Sequence, residues 1–263
     1  MNNIEKLQEK WARGELCVGT NVTFTDATVT ELSGEAGFDL VWIECEHSAM
    51  GLSDALEHVR AARAAGIVPF IRVPSCDPVV VKPFLELHPA GIILPRINSV
   101  EDAEQAVKSC RYPPRGVRGY GPSRGVRFSG ITQQEYIERV DQEMLVILQI
   151  EHIDAVNQID KILEIPGVDS IVTGPNDLSA TMGLFGQTSH PDVVAAVEKV
   201  YSSAIRKGMP TGHSTGYDPE GIQRWIDMGL SWICVDNDWS MLFAHSSRLV
   251  QELRGMAGAT PSG

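Results

Sequence analysis

Three features of the sequence predict an α/β fold, namely a (β/α)₈ TIM barrel. Apolar runs of about four to eight residues alternate with segments of helical spacing, which is typical of repeated strand–helix units around a parallel sheet. We count eight such runs, and eight strands close a barrel. The 263 residues suit one barrel, so we expect a single domain over 1–263.

The predicted elements follow in order along the chain. A charged segment at 2–13 reads as a short N-terminal helix that precedes the first strand. The eight predicted strands are Glu15–Phe24, Phe38–Glu46, Val68–Arg72, Gly91–Arg96, Leu145–Ile150, Asp169–Val172, Pro210–Ser214 and Ser231–Val235. Helix starts are marked by capping residues at Asp77, Ser99 and Asp218. Helix ends are marked by glycines just before the next strand, at Gly66, Gly208 and Gly229.

Two segments depart from this alternation. Arg111–Gly130 carries five arginines and five glycines, and we predict a long loop on the barrel rim that holds the functional groups, with a plain surface connection as the alternative. A helix at about Trp239 to Met256 is expected to pack on its own barrel or on a neighbouring subunit. The last residues, about 258–263, are expected to form a disordered tail.

Composition limits the class of partner and the compartment. A net charge of −12 argues against a nucleic acid or an anionic membrane surface as partner, because both require a basic face. The N-terminus lacks the apolar core of a signal peptide, and the five cysteines form no CxxC pair. We therefore expect a cytoplasmic protein with free thiols that acts on a small molecule.

Two carboxylates follow neighbouring predicted strands, and they are the candidate metal ligands. Glu151 follows Leu145–Ile150 directly, and Asp177 follows the next strand after the turn Gly174-Pro175-Asn176. Strand ends of this kind share the ligand-binding rim of a β/α fold, and paired carboxylates suit Mg²⁺ or Mn²⁺. The alternative is that each acid caps the helix that begins beside it.

Other polar residues at predicted strand ends are candidates for catalysis. Arg72 ends an apolar strand and would stabilise an anion near the metal, or else form a structural ion pair with a rim acid. His47 is a candidate base, with Glu86 as the acid that orients it. No lysine lies at a strand end, which argues against Schiff-base chemistry and favours activation of a carbonyl by a metal.

Five motifs together make a resemblance specific enough to name. They are GFDLVWIECEH at 37–47, RVPSCDP at 72–78, RYPPRGVRGYG at 111–121, LQIE at 148–151 and GPNDLSATMG at 174–183. On these motifs the chain resembles the class II pyruvate aldolases of the 4-hydroxy-2-oxoheptanedioate aldolase family, within the aldolase/citrate lyase superfamily. The resemblance covers essentially the whole chain.

The resemblance implies a metal-dependent barrel that assembles as a hexamer, a trimer of dimers, with the C-terminal helix exchanged between subunits. It implies Mg²⁺, Mn²⁺ or Co²⁺ on Glu151 and Asp177, with Gln149 behind the metal. Arg72 matches the arginine that stabilises the enolate of a 2-oxo acid, and His47 matches the histidine of proton transfer. Gly174, Pro175 and Asn176 are expected to contact the substrate.

The chain departs from the family pattern at two predicted pocket positions. Asn21 stands where an aromatic residue is common and His213 where an aliphatic residue is common, so we expect both to bind substrate in a more polar pocket. The expected reaction is reversible aldol cleavage to an aldehyde and a 2-oxo acid. Oxaloacetate decarboxylation or a related carbon–carbon cleavage is the alternative, and a non-catalytic metabolite-binding barrel is a third reading.

Overall fold

The computed structural model describes residues 2–258 and forms a closed barrel of eight parallel strands. Each strand pairs with the next, and the first pairs with the last, in the register Cys17↔Trp232. The strands are β1 Cys17–Val22, β2 Leu40–Glu44, β3 Val68–Arg72, β4 Gly91–Ile97, β5 Leu145–Ile150, β6 Ser170–Thr173, β7 Thr211–Thr215 and β8 Trp232–Asn237. The predicted (β/α)₈ barrel is confirmed, and β3 and β5 keep the predicted limits.

Helices alternate with the strands and surround them. They are α1 Ile4–Ala12, α2 Thr28–Glu35, α3 Leu52–Ala65, α4 Pro78–Glu86, α5 Val100–Cys110, α6 Gln133–Glu143, α7 Ile153–Asn157, α8 Ile159–Ile162, α9 Pro175–Thr181, α10 Pro191–Arg206, α11 Pro219–Asp227 and α12 Asp238–Gly258. A short 3₁₀ turn covers Arg127–Ser129. The predicted N-terminal helix is present as α1, whose Ile4 and Leu7 pack with residues of the barrel interior.

Large aromatic side chains fill the barrel interior. Trp232 of β8 packs edge-on against Phe70 at a ring-centroid distance of 5.4 Å, and it also contacts Trp42. Gly212 on the neighbouring strand makes room for this indole, because a Cβ there would lie 2.0 Å from a ring carbon of Trp232. The barrel is therefore a packed core whose open positions lie at its ends.

The predicted helix boundaries have physical support at most positions. Asp77 accepts the backbone N–H of Val79 at 2.7 Å, and Ser99 accepts that of Asp102 at 3.1 Å. Asp218 stands at the cap of α11 but makes no capping hydrogen bond with its side chain. The glycines predicted to end helices, at Gly66, Gly208 and Gly229, all adopt positive φ angles.

The arginine-rich segment does not lie on the predicted rim. Arg111 donates to the carbonyls of Met144 and Gly167, which precede β5 and β6, and Arg118 pairs with Glu86 at the end of α4. These contacts lie near the amino ends of the strands. The prediction was wrong because the segment follows a helix rather than a strand, and α5 carries the chain back across the barrel.

The C-terminal helix α12 presents an apolar surface. Its exposed large apolar side chains are Trp239, Met241, Leu242, Phe243, Leu249, Val250, Leu253 and Met256. Within residues 2–258 no helix combines the length and hydropathy needed to cross a bilayer. The five cysteines are free. Of the predicted tail at about 258–263, all but Gly258 lies outside the described residues.

Candidate active site

A cavity of about 400 Å³ opens at the carboxyl ends of the strands. Residues from seven of the eight strands or the segments that follow them line it, together with the start of α12. The lining residues are Asn21, Thr23, Trp42, Glu44, His47, Arg72, Gln149, Thr173, Gly174, Pro175, Asn176, Asp177, Ser214, Asn237 and Trp239. This is the end of a β/α barrel where catalytic residues are found.

Arg72, the last residue of β3, is held on three sides. Its Nε and Nη2 lie 2.7 and 2.5 Å from Oε2 of Glu44, and its Nε lies 3.3 Å from Glu46. The guanidinium also lies over the ring of Trp42, 5.2 Å from the centroid. The predicted ion pair with a rim acid is thus present, and it fixes the guanidinium at the wall of the cavity.

Neither candidate metal ligand caps a helix. The cap of α7 is His152, whose Nδ1 accepts the N–H of Asp154, while Glu151 accepts the backbone N–H of Arg96 and the side-chain amide of Gln149. Helix α9 begins at Pro175 with Gly174 as its cap, so Asp177 lies inside the first turn and its side chain makes no capping hydrogen bond. Glu151 therefore caps no helix, whereas Asp177 makes no capping hydrogen bond but stands where its charge complements the positive end of α9.

Negative charge accumulates beside the cavity. Burial, reinforced by the carboxyls of Glu46 and Asp177, raises the pKa of Glu151 to about 7, although the Arg96 amide opposes the shift. Burial also raises the pKa of Glu46. The Arg72 guanidinium interacts with the carboxyl groups of Glu44, Glu46 and Glu151. Asp177 adds a fourth carboxyl group close enough to raise the pKa of both Glu46 and Glu151.

This donor set fits a divalent cation. A cation held by Glu151 and Asp177 would offset the burial, and the repulsion from neighbouring carboxyls, that raise the Glu151 pKa. Among residues 2–258 there is no group of three or more metal-binding His, Cys, Asp or Glu side chains, so two carboxylates would leave the remaining positions to water and substrate. Mg²⁺ is commonly held in this way.

The β5 and β6 strand ends hold Glu151 in place. Gln149 donates to Oε2 of Glu151 at 2.7 Å, and its own carbonyl lies 3.4 Å from Nη1 of Arg72. Gly174 permits the close approach of β6, because a Cβ there would lie 2.5 Å from Glu151 Oε2. Gln149 therefore connects the candidate metal ligand to the arginine.

His47 and Glu86 are separated. The His47 ring is 65% exposed at the cavity mouth, and its Nε2 lies 3.6 Å from Oε2 of Glu46. Glu86 ends α4 and pairs with Arg118 at 3.0 Å, outside the cavity lining. Within this chain the acid beside His47 is Glu46, and Glu86 is not placed to orient the histidine. Nine residues of α4 carry Glu86 away from the rim.

The two departures from the family pattern face different spaces. Asn21 lines the cavity, and its amide donates to Ser214 Oγ at 3.1 Å and to the Asp236 carbonyl at 3.0 Å. His213 does not line this cavity, because its ring packs outward from β7 against Tyr201 and Trp225. The expectation that both residues share one pocket is therefore wrong.

Sequence reasoning missed two aromatic residues of the cavity wall. Trp42 lies two positions before Glu44 on β2, so strand alternation places both on one face, and this signal was available. Trp239, 54% exposed, reaches the cavity from the start of α12. No local pattern indicates that this helix would border the site.

Comparison with known proteins gives consistent results. The model of the HpcH/HpaI aldolase/citrate lyase family matches residues 20–228. The chain is 29% identical over 249 residues to a 5-keto-4-deoxy-D-glucarate aldolase of Escherichia coli, covering 95% of this chain and 96% of the relative.

Solved structures agree in fold. An HpcH/HpaI aldolase from Desulfitobacterium hafniense has a TM-score of 0.88 at 31% identity, covering 97% of this chain and 98% of that one. The citrate synthase SbnG has a TM-score of 0.86 at 26% identity, covering 96% and 98%.

These relatives confirm the aldolase/citrate lyase superfamily that the motifs indicated. The aldolase named above acts on 5-keto-4-deoxy-D-glucarate, whereas the motifs resembled those of 4-hydroxy-2-oxoheptanedioate aldolases. The expectation of an enzyme that cleaves or forms carbon–carbon bonds is confirmed at this level. The chain belongs to the HpcH/HpaI aldolase/citrate lyase family and is a carbon–carbon lyase.

Proposed function

We propose that the protein is a metal-dependent class II aldolase, which reversibly cleaves a 4-hydroxy-2-oxo acid to an aldehyde and pyruvate or a related 2-oxo acid. We further propose a cytoplasmic homo-oligomer, a hexamer built as a trimer of dimers. The observation that carries the proposal is a cavity lined by an anchored guanidinium and by Asp177, with the buried carboxyl of Glu151 directly behind the lining residues Gln149 and Gly174.

Each part of the cavity has a role in this reaction. Arg72 is fixed by Glu44 and Trp42, so it can stabilise negative charge that develops on the substrate oxygen without moving. The substrate carboxylate would lie at the first turn of α9, where the amides of Asn176 and Asp177 have no partner within the helix. His47, exposed at the cavity mouth, is the candidate for moving the proton.

The candidate cofactor is a divalent cation, Mg²⁺, Mn²⁺ or Co²⁺, held by Glu151 and Asp177. When bound, it would polarise the keto group of the 2-oxo acid and make the C3 proton easier to remove. Gln149 would then hold Glu151 in orientation through the hydrogen bond already present at 2.7 Å.

Decarboxylation of oxaloacetate is the second candidate, because it produces the same enolate at the same arginine. The chain is similar in structure to a citrate synthase, whose reaction also differs from aldol cleavage. This similarity supports a second reaction through an enolate in this fold. The products separate the two reactions: carbon dioxide is released only by decarboxylation.

The metal site is tested by Mn²⁺ binding to the purified full-length protein. We expect Glu151→Gln and Asp177→Asn each to weaken Mn²⁺ binding by at least roughly 10- to 100-fold. Mutating a residue that only orients a metal ligand already causes a loss of this size, so mutating a ligand itself should cost no less. Glu101→Gln, on the exposed first turn of α5, is the matched control and should bind normally. Unchanged Mn²⁺ affinity in both site variants would refute the ligand assignment.

A further inference from the structure

One wall of the candidate active site is formed where the barrel closes. Thr23 follows β1, Asn237 ends β8 and Trp239 lies in the first turn of α12, and all three line the cavity. We call these three residues the β1–α12 wall. In the closed ring of eight strands β5 lies opposite β1, and Glu151 follows β5 directly. The β1–α12 wall therefore lies across the cavity from this candidate metal ligand.

The sheet alone does not fix this wall. Pairing between β1 and β8 is regular up to Gly19↔Cys234, shifts register, and ends at Asn21↔Asn237. Thr23 and Trp239 both lie beyond the last paired residues, so no strand hydrogen bond between β1 and β8 sets the distance between them. Their relative position must depend on side-chain contacts.

Asp238, the first residue of α12, supplies these contacts. Its Oδ2 accepts the backbone N–H groups of Thr23 and Phe24 at 2.7 and 2.8 Å, and its Oδ1 accepts the Thr23 hydroxyl at 2.6 Å. Oδ1 also accepts the backbone N–H of Trp239 at 2.9 Å. Asp238 is only 5% exposed and does not itself line the cavity. One buried carboxylate thus joins the segment after β1 to the start of α12.

Each of the two joined segments is also held on its own side. At the start of α12, Asn237 Oδ1 accepts the backbone N–H of Ser240 at 2.9 Å, and the Ser240 hydroxyl donates to the Asn237 carbonyl at 3.0 Å. In the segment after β1, the Phe24 carbonyl lies 2.9 Å from Nε2 of His58, a fully buried residue of α3. Because both segments are fixed locally, the Asp238 carboxylate sets the position of one relative to the other.

We propose that Asp238 is a positioning residue, which holds Thr23 and Trp239 where they guide the aldehyde toward the enolate. The proposal rests on the proposed function, because it assigns the 2-oxo acid to the side of Arg72 and Glu151. The aldehyde must then enter between that acid and the β1–α12 wall, and the rate of bond formation depends on how well the wall orients it. Asp238 touches neither reactant and acts through the wall.

Two activities of the same samples separate positioning from a general loss of structure. Exchange of the C3 protons of pyruvate with solvent requires only the 2-oxo acid side, whereas aldol addition to glycolaldehyde also requires the opposite wall. Asp238→Asn keeps one acceptor oxygen in place of two. We expect it to lower the ratio of addition to exchange, each measured as kcat/KM, by roughly tenfold or more, since a small misplacement of a reactant has an effect of this size.

The milder variant is Thr23→Val, which removes only the hydroxyl that donates to Asp238. We expect it to lower the same ratio by roughly fivefold, and the double variant to be no worse than Asp238→Asn, because both changes affect one contact. Glu31→Gln removes the same charge from an exposed position of α2 and is the control. If Asp238→Asn fails to fold, Thr23→Val decides. An unchanged ratio in Thr23→Val, or in a folded Asp238→Asn, would overturn the proposal.

A second measurement needs no reaction. In the full-length protein labelled with 5-fluorotryptophan, the ¹⁹F signal of Trp239 is assigned by its absence from Trp239→Phe. Thr23→Val should shift this signal, because Thr23 is joined to Trp239 through Asp238, whereas Glu31→Gln should not. If the wild type makes no aldol product, the proposed function fails, but a shift in Thr23→Val still supports the positioning role. A Trp239 signal that stays in place in Thr23→Val would overturn it.

Discussion

At the scale of single residues, a side chain reaches the candidate site when it lies at the carboxyl end of a strand. Arg72, Glu151 and Asp177 were predicted because each follows an apolar run, and parallel strands bring their carboxyl ends together. Glu46 was not assigned a role, although it lies within reach of both Arg72 and His47. Its position depends on the course of the loop after β2, which strand alternation does not predict.

The buried histidine makes stability depend on pH. The His213 pKa is about 4 in the folded protein and near 6.5 in the unfolded chain, so the unfolded chain binds more protons between these values. This contribution to stability is fully present above pH 6.5 and is lost as pH falls toward 4. We expect the wild type to lose about 3 kcal/mol more than His213→Gln across this interval.

Urea denaturation of both proteins at a series of pH values measures this difference. Titration of other groups is common to the two proteins and cancels in the comparison. Parallel pH profiles would show that the folded protein admits a charged His213.

At the scale of elements, pairing and packing explain which predictions succeeded. The limits of β3 and β5 were predicted because both are short, continuous apolar runs, whereas the ends of β1 and β8 shifted by about two residues, within the ordinary uncertainty of strand ends. The misplaced loop at 111–130 has a different cause. The composition of this segment predicts a loop, but composition does not indicate which end of the barrel the loop covers.

Close packing between β7 and β8 gives a prediction at this scale. Gly212→Ala would place a Cβ 2.0 Å from the Trp232 ring, so one strand or the indole must move. We expect the substitution to lower the free energy of unfolding by about 1–3 kcal/mol, the usual effect of overpacking. Gly121→Ala is the matched control, since no atom lies within 4 Å of its added Cβ. Chemical denaturation that gave equal stabilities would contradict the described packing of Trp232.

At the scale of the whole molecule, the apolar surface of α12 is the feature that the barrel itself leaves unexplained. Phe243 is 70% exposed, and Leu242 and Leu253 are exposed on the same helix. Apolar surface of this extent commonly marks an interface between proteins. It agrees with the proposal that α12 is exchanged between subunits, and Trp239 would then connect assembly to the cavity.

Assembly through α12 predicts the effect of one charge. Phe243→Glu should dissociate the proposed hexamer into smaller species, because the carboxylate would lose its hydration in an apolar interface. Gln251→Glu introduces the same charge at an exposed position on the other side of the same helix, away from Leu242, Leu249 and Leu253, and serves as the control. Light scattering coupled to size-exclusion chromatography measures the mass. A wild-type monomer, or a hexamer that tolerates Phe243→Glu, would contradict this role of α12.

The central claim is that this cavity makes an enolate from a 2-oxo acid with the help of a divalent metal. Exchange of the C3 protons of pyruvate with deuterated water, followed by NMR, tests it without knowledge of the aldehyde. We expect exchange with Mg²⁺ or Mn²⁺, none after chelation, and a loss of roughly 100-fold or more in Arg72→Lys, because lysine cannot reproduce the fixed guanidinium. Exchange that continues without metal, or no exchange by the metal-loaded wild type with either pyruvate or hydroxypyruvate, would contradict the account.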